Sequence, residues 1–167
     1  MAFIERQLVI AVIDLAHFVQ SVRGLGAAQI SGLVDRYYHE VDGPVAAAGG
    51  RIVKYFGDGI LAVFPPDRAS DAVAAAQRLE AVVERLAEDF GLPLELGVNV
   101  HLTTVAEGTF GPTESYDIMG AGVNHAFRMG AGAGIRISEP VYRKLPSEER
   151  GGWDKHQPPA TYTLVTR

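Results

Sequence analysis

At 167 residues, 47% of them hydrophobic and 21% charged, the chain has enough apolar side chain to bury a core and too much to stay disordered. A formal net charge of −5 excludes a large basic surface for nucleic acid, which is held by clustered Lys and Arg. The absence of cysteine excludes disulfides, thiolate catalysis and thiolate metal sites, so any metal must bind through oxygen or nitrogen.

The first apolar run, Leu8 to Ile13, is closed by Asp14. It is far short of the roughly 20 residues that cross a bilayer, and no small-residue cleavage site follows it. The chain therefore reads as one cytoplasmic domain, residues 1–167, with no membrane partner. Leu8 to Ile13 suits a strand covered on both faces, because it is unbroken and rich in β-branched residues. Asp14 then stands at its C-terminal end.

From Ala27, the residues Ile30, Leu33, Val34, Tyr37 and Val41 recur at helical spacing, until Gly43-Pro44 kinks or interrupts the helix and Gly49-Gly50 stops it. Arg51 to Phe56 and Ile60 to Phe64 are expected as two strands of a hairpin, with Asp58 at its Gly57-Asp58-Gly59 tip. Asp67 can cap the next helix, whose inward face carries Val73, Ala76, Leu79, Val83, Leu86 and Phe90. Leu94 to Val105 and Tyr116 to Met119 are expected strands, joined by a polar loop containing Gly108, Gly111 and Pro112. A helix from Gly120 to about Met129, a strand from Ile135 to Ser138, a short helix from Glu139 to Lys144 and a strand from Thr161 to Val165 follow. Pro146 to Pro159 is the most loop-like stretch.

The order β-α-β-β-α-β matches the ferredoxin-like α+β unit, here with appended strands and helices: an antiparallel sheet with helices on one face. That topology sets the end of the first strand beside the tip of the central hairpin, so Asp14 and Asp58 face one another. Taken singly, Asp58 is an ordinary turn residue and Asp14 an ordinary strand terminator. Together they repel, and keeping both ionised is costly unless cations lie between them. Mg²⁺ or Mn²⁺ suits this, since hard cations prefer oxygen ligands and keep positions open for phosphate and water. Two-metal phosphoryl chemistry is the natural inference.

Three stretches, "AVIDLAHF", "GGRIVKYFGDGILAVF" and "SYDIMGAGVNHAFRM", resemble the catalytic domain of the class III nucleotidyl cyclases, specifically the adenylyl cyclases, over nearly the whole chain. The resemblance implies the class III cyclase fold and the conversion of ATP to 3′,5′-cyclic AMP and pyrophosphate. It implies that Asp14 and Asp58 hold two Mg²⁺ or Mn²⁺ ions, with the Leu15 carbonyl as a further ligand. It also implies that the backbone amides of Ala16, His17 and Phe18 cradle phosphates, and that Lys54 and Asp117 recognise adenine. Adenine offers a ring nitrogen acceptor and an exocyclic amino donor, matching a lysine and a carboxylate, whereas guanine presents the opposite polarity. Asn124 would orient the ribose and Arg128, four residues on and on the same helical face, would stabilise charge on the α-phosphate. Lys155 in "WDKHQPP" is the candidate phosphate-binding cation.

In that family the metal aspartates come from one subunit and the base and transition-state residues from the other, so a head-to-tail homodimer with two composite sites is implied. Lys54, on the same hairpin as Asp58, would then serve the nucleotide held by the partner's metals. The chain departs from the pattern at His17, a bulky residue in the phosphate loop, and at Ala121-Gly122, which removes a possible helix cap. Its "NVHLTT" strand also lacks an expected His-x-Gly pattern. Two other readings stay open: a catalytically weak nucleotide-binding and dimerisation module, and a guanylate cyclase using GTP. His39, His101, His125 and His156 read as surface or locally hydrogen-bonded residues.

Overall fold

The structure, a computed structural model, describes residues 3–156 and 160–165. The chain runs β1 (Ile4–Ala16), α1 (Phe18–Ser21), α2 (Ala27–Ala47), β2 (Arg51–Phe56), β3 (Gly59–Phe64), α3 (Ala69–Phe90), β4 (Glu95–Phe110), β5 (Ser115–Met119), α4 (Ala121–Arg128), β6 (Gly134–Ser138), α5 (Glu139–Lys144), β7 (Trp153–His156) and β8 (Thr161–Leu164). The eight-stranded sheet has the order β2-β3-β1-β4-β6-β8-β7, with β5 paired to β4. Its β2-β3-β1-β4 half is antiparallel throughout, and α2 and α3 make the two crossovers. This is the expected βαββαβ core.

β1 is apolar on both faces and needs cover on both, as the unbroken run requires. Val9, Ala11, Ile13 and Leu15 pack with Leu33, Tyr37, Val41 and Val45 of α2 and with the inner face of α3 and α5. Leu8, Ile10 and Val12, which alternate to the other side, pack with Ile118 of β5 and with Val123 and Ala126 of α4. Helices therefore lie on both faces, and α4 corrects the one-sided arrangement expected from the ferredoxin-like unit. Truncating a side chain such as Leu33, which is fully buried, would cost roughly 2–5 kcal/mol.

Several boundaries differ for identifiable reasons. α2 continues through Gly43-Pro44 because Val45 beyond them is buried in the core, and that burial offsets the hydrogen bond proline removes. Arg68, not Asp67, stands at the cap position of α3 and makes no side-chain cap. Phe90 is 36% exposed, with the Arg36 guanidinium 5.8 Å from its ring centre. Gly108 is paired with Asp117 inside the β4–β5 ladder, so the connecting loop spans only 111–114. The stretch after Pro146 forms a 3₁₀ turn (Ser147–Gly152) and then β7; Gln157 to Pro159 of the expected loop lie outside the described residues. No described helix is long and apolar enough to cross a membrane.

Candidate active site

The site begins where the β1–β3 ladder ends, while β1 itself continues to Ala16 against β4 and so extends past the Asp14 end expected from the sequence. Ile13 pairs with Ile60, so Asp14 stands one residue beyond the last rung and Asp58 lies in the adjoining turn. Gly57 takes a left-handed φ of 65°, which an L side chain adopts only with strain. The Tyr38 hydroxyl donates to the Gly57 carbonyl, and the Tyr38 ring stacks on Tyr55 at 4.1 Å. α2 thereby fixes the hairpin tip.

Across β1, Asp14 pairs with Gly97 of β4. A Cβ at that position would lie 2.3 Å from Asp14 Oδ1 and 2.8 Å from the Gly132 carbonyl oxygen, so the bare backbone of Gly97 makes room for the carboxylate. The Asp14 carboxyl is raised above its ordinary range, first by burial and then by the charge of Asp58, with Arg136 opposing the shift. Burial and mutual repulsion both favour a cation here. Among the described residues no three His, Asp or Glu side chains group as metal ligands. The protein's donors are thus two carboxylates and nearby backbone carbonyls, and this hard oxygen set fits Mg²⁺ or Mn²⁺ with positions to spare for phosphate and water.

The chain leaves β1 through Ala16, turns at His17 and enters α1 at Phe18. His17 is itself left-handed, with φ 57°, and its carbonyl accepts from the amides of Gln20 at 2.9 Å and Ser21 at 3.0 Å. Its exposed side chain leaves the turn toward the loop at Gly132.

Lys54 reaches its position through a β-bulge. Ile52 opposes Ala62 but Lys54 opposes Leu61, so the extra residue Val53 turns Lys54 onto the α4 and β5 face of the sheet. There its Nζ lies 2.6 Å from Asp117 Oδ2. Asp117 is also oriented by the Ile118 amide, which donates to Oδ1 at 2.8 Å. β5 is held over this face by Glu107, which accepts from Arg6 at 2.6 Å and from the Tyr116 hydroxyl at 2.8 Å.

Asn124 and Arg128 share the exposed face of α4, opposite the buried Val123 and Ala126. Two residues seat this helix. Asn99, buried on β4, donates from Nδ2 to the carbonyls of Ala126 at 2.9 Å and Gly130 at 3.0 Å, satisfying acceptors that a helix end leaves free. A Cβ at Gly122 would lie 2.1 Å from Thr103 Oγ1 and 2.6 Å from Thr103 Cβ. The Ala121-Gly122 pair, expected to loosen the helix, therefore allows α4 to lie close on β4. Phe127 meets Phe56 of β2 with ring centres 5.5 Å apart, tying α4 to the hairpin.

Lys155 is not brought to either cluster. It lies on β7, four strands from β1 in the sheet, a lateral distance of roughly 19 Å. Its Nζ sits 5.6 Å from the Tyr162 ring centre, on the face where α5 packs. Lys155 therefore lies well apart from this chain's own Asp14 and Asp58.

The structure thus unites Asp14 with Asp58 and Lys54 with Asp117, and sets Asn124 and Arg128 on one helical face. Gly97 and Asn99 are positioning residues beyond those singled out in the sequence. A glycine inside a strand pattern and an asparagine inside the apolar run "LGVNVHL" are the signals that mark them.

This fold is that of the class III nucleotidyl cyclase catalytic domains. It superposes on the guanylyl cyclase Cya2 with a TM-score of 0.86 at 24% identity, covering 98% of this chain and 94% of that one. It superposes on the adenylyl cyclase CyaB from P. aeruginosa with a TM-score of 0.84 at 21% identity, covering 100% and 97%. In sequence the chain is a relative of adenylate cyclases: it is 28% identical over 159 residues to that of Anabaena cylindrica (86% of this chain, 32% of that protein). It is 32% identical over 126 residues to that of Streptomyces coelicolor (75% and 30%). The chain spans about a third of the length of these relatives. No family model matches it.

Proposed function

We propose that this chain is a single catalytic domain that cyclises ATP to 3′,5′-cyclic AMP and pyrophosphate at the interface of a homodimer. The observation that carries this reading is the meeting of Lys54 and Asp117 on one face of the sheet. A cation and a carboxylate side by side match the ring nitrogen and exocyclic amino group of adenine and oppose the polarity of guanine. The relatives named adenylate cyclase support the same choice.

Asp14 and Asp58, with the Leu15 carbonyl, would hold two Mg²⁺ or Mn²⁺ ions. When bound, such ions neutralise the triphosphate and lower the pKa of the ribose 3′-hydroxyl. The amides of Ala16 to Phe18 donate to phosphate oxygens. Lys54 donates to adenine and Asp117 accepts from its amino group. Asn124 orients the ribose so that the 3′-oxygen lines up with the α-phosphorus. The new 3′-O–P bond forms as the bond to pyrophosphate breaks, and Arg128 strengthens its hydrogen bonds to the α-phosphate as charge develops there.

Phe56, Met119 and Phe127 are 38%, 49% and 41% exposed around the elements that carry Lys54, Asp117 and Arg128. A second copy of the chain laid head to tail would cover them and bring its Asp14 and Asp58 to this face. The test is product identification with purified protein, using ATP and GTP with Mg²⁺ and with Mn²⁺. Cyclic AMP from ATP, lost in Asp58→Ala, is the expected result; full activity in Asp58→Ala would overturn the metal assignment, and a bound but unconverted nucleotide would favour a binding module.

A further inference from the structure

β5 pairs with β4, yet it lies over the face of the sheet, where Ile118 packs with Leu8 and Ile10 of β1 and with Leu61 and Val63 of β3. Side chains of β2 reach it there at two points. At one, Lys54 meets Asp117. At the other, the Arg51 guanidinium stands 4.1 Å from the centre of the Tyr116 ring. Its Nη2 donates to the Tyr116 hydroxyl and, at 3.4 Å, to Glu107 Oε2. Glu107 is a largely buried carboxylate on β4 that also accepts from the Tyr116 hydroxyl and from Arg6, so Tyr116 is held by its ring and by its hydroxyl at once.

The two bridges share one geometry. Arg51 opposes Val63 and Lys54 opposes Leu61, both members of the cluster under β5, so the two cations leave β2 on the same face. They meet consecutive residues of β5, Tyr116 and Asp117. The bridges part company when a nucleotide binds. A base that takes Lys54 and Asp117 exchanges their mutual bond for bonds to itself, and that bridge opens. The bridge of Arg51, Tyr116 and Glu107 uses none of those atoms and stays closed, so it carries the spacing between β2 and β5 in the loaded site.

We propose that Arg51 is a positioning residue for choice of the base: by clasping Tyr116 and Glu107 it holds Asp117 at the separation from Lys54 that adenine spans. This rests on the reading that Lys54 and Asp117 take the base. A guanidinium that stacks on a ring and forks its bonds fixes a geometry that a lysine ammonium, a point charge on a flexible stem, does not. Discrimination by hydrogen bonds depends on donor and acceptor being held in place, since a donor free to drift accommodates either base. Loosening β5 against β2 therefore costs the choice between bases before it costs the hold on the triphosphate, which other residues supply on the same reading.

The experiment measures the Kd of 3′-deoxy-ATP and of 3′-deoxy-GTP, which lack the attacking hydroxyl and are not turned over, with Mn²⁺ and the full chain by calorimetry. Wild type, Arg51→Met, Arg51→Lys, Tyr116→Phe and Lys54→Met are compared, each with its urea midpoint. The expected result for Arg51→Met is a preference for the adenine nucleotide lowered about 10-fold, through weaker binding of that nucleotide and little change for the guanine one. Arg51→Lys should not restore the preference, and Tyr116→Phe, which keeps the ring and loses the hydroxyl, should lower it in the same direction. An unchanged preference in Arg51→Met, with Lys54→Met impaired, overturns the role of Arg51 and leaves the base reading intact. An equal loss of both nucleotides in Arg51→Met overturns it too, because the contact would then support the fold and not the choice. Should Arg51→Met fail to fold, wild-type preference in both Arg51→Lys and Tyr116→Phe overturns the proposal. An unchanged preference in Lys54→Met overturns the base reading and the Arg51 proposal with it.

Discussion

Lys54 Nζ and Asp117 Oδ2 lie 2.6 Å apart, one on the central hairpin and the other on the β5 arm, 63 residues away in sequence. The lysine side chain is 43% exposed and the aspartate 16%, so the pair is worth less than about 1 kcal/mol to the fold. On the proposed reading its consequence lies in binding, since adenine would take both partners at once. Lys54→Met should change unfolding free energy by under about 1 kcal/mol, while kcat/KM for ATP falls by about 10-fold or more, as expected when a substrate hydrogen-bond partner is lost. Lys54→Glu combined with Asp117→Cys should shift preference toward GTP; unaltered nucleotide preference would contradict the polarity assignment.

Gly97→Ala should disable the carboxylate end of the sheet. The new methyl would lie 2.3 Å from Asp14 Oδ1 and 2.8 Å from a backbone oxygen, so the Asp14 side chain or the Gly132 loop must move. Overpacking of this kind costs about 1–3 kcal/mol. Chemical denaturation should register that loss, and metal-dependent cyclase activity should fall much further than the stability change explains.

Asp14 should oppose the stability of the metal-free fold at neutral pH. Its native pKa is raised above the ordinary 3.8, so the native state holds the proton more tightly than the unfolded chain. The associated stability is present at acid pH and is lost as pH rises through the raised value. Asp14→Asn should therefore melt higher than wild type at pH 7 without metal and gain nothing from Mn²⁺, whereas wild type should gain. Thermal denaturation with and without Mn²⁺ checks both halves.

His101 works in the opposite direction. It lies on β4 under α4, its ring 4.7 Å from that of His125, and burial followed by His125 lowers its pKa from 6.5 to about 4. The unfolded chain takes up the proton first, so the fold loses stability as pH falls from about 6.5 to about 4. Melting curves across that range should flatten in His101→Gln relative to wild type. A parallel decline in both proteins would show that His101 is not the group responsible.

Mixing two inactive proteins should restore activity if the site is shared between copies. Under the proposed assignment, each copy of Asp58→Ala lacks a metal ligand and each copy of Arg128→Ala lacks the transition-state cation. A mixed dimer carries one site with both defects and one with neither. An equal mixture should therefore recover about a quarter of wild-type activity in a two-fold dimer. No recovery, with mixed dimers demonstrated by differential tags, would place all the functional groups in one chain.

Element order and type are largely legible in the sequence because periodicity records burial. The unbroken run Leu8 to Ile13 implies a strand covered twice, and Gly57-Asp58-Gly59 implies a hairpin tip; both follow from local steric and hydrophobic rules. Boundaries are less legible. β4 continues to Phe110 because β5 pairs with its outer half, and α2 passes Pro44 because Val45 has core to meet. Neither condition is local.

The carboxylate pair follows from sequence and topology together, since two strand ends in a βαββαβ unit must adjoin. What the tertiary structure alone decides is which way side chains face and what approaches them. The bulge at Val53 turns Lys54 onto the face where Asp117 waits. Gly97 clears the space for Asp14, and Asn99 holds the end of α4 beneath Arg128. Lys155, the phosphate-binding candidate that the resemblance implies, is carried to the far edge of the sheet. Residue types and their order set the chemistry this chain can do; register, close packing and strand order, which depend on partners distant in sequence, set where it can do it.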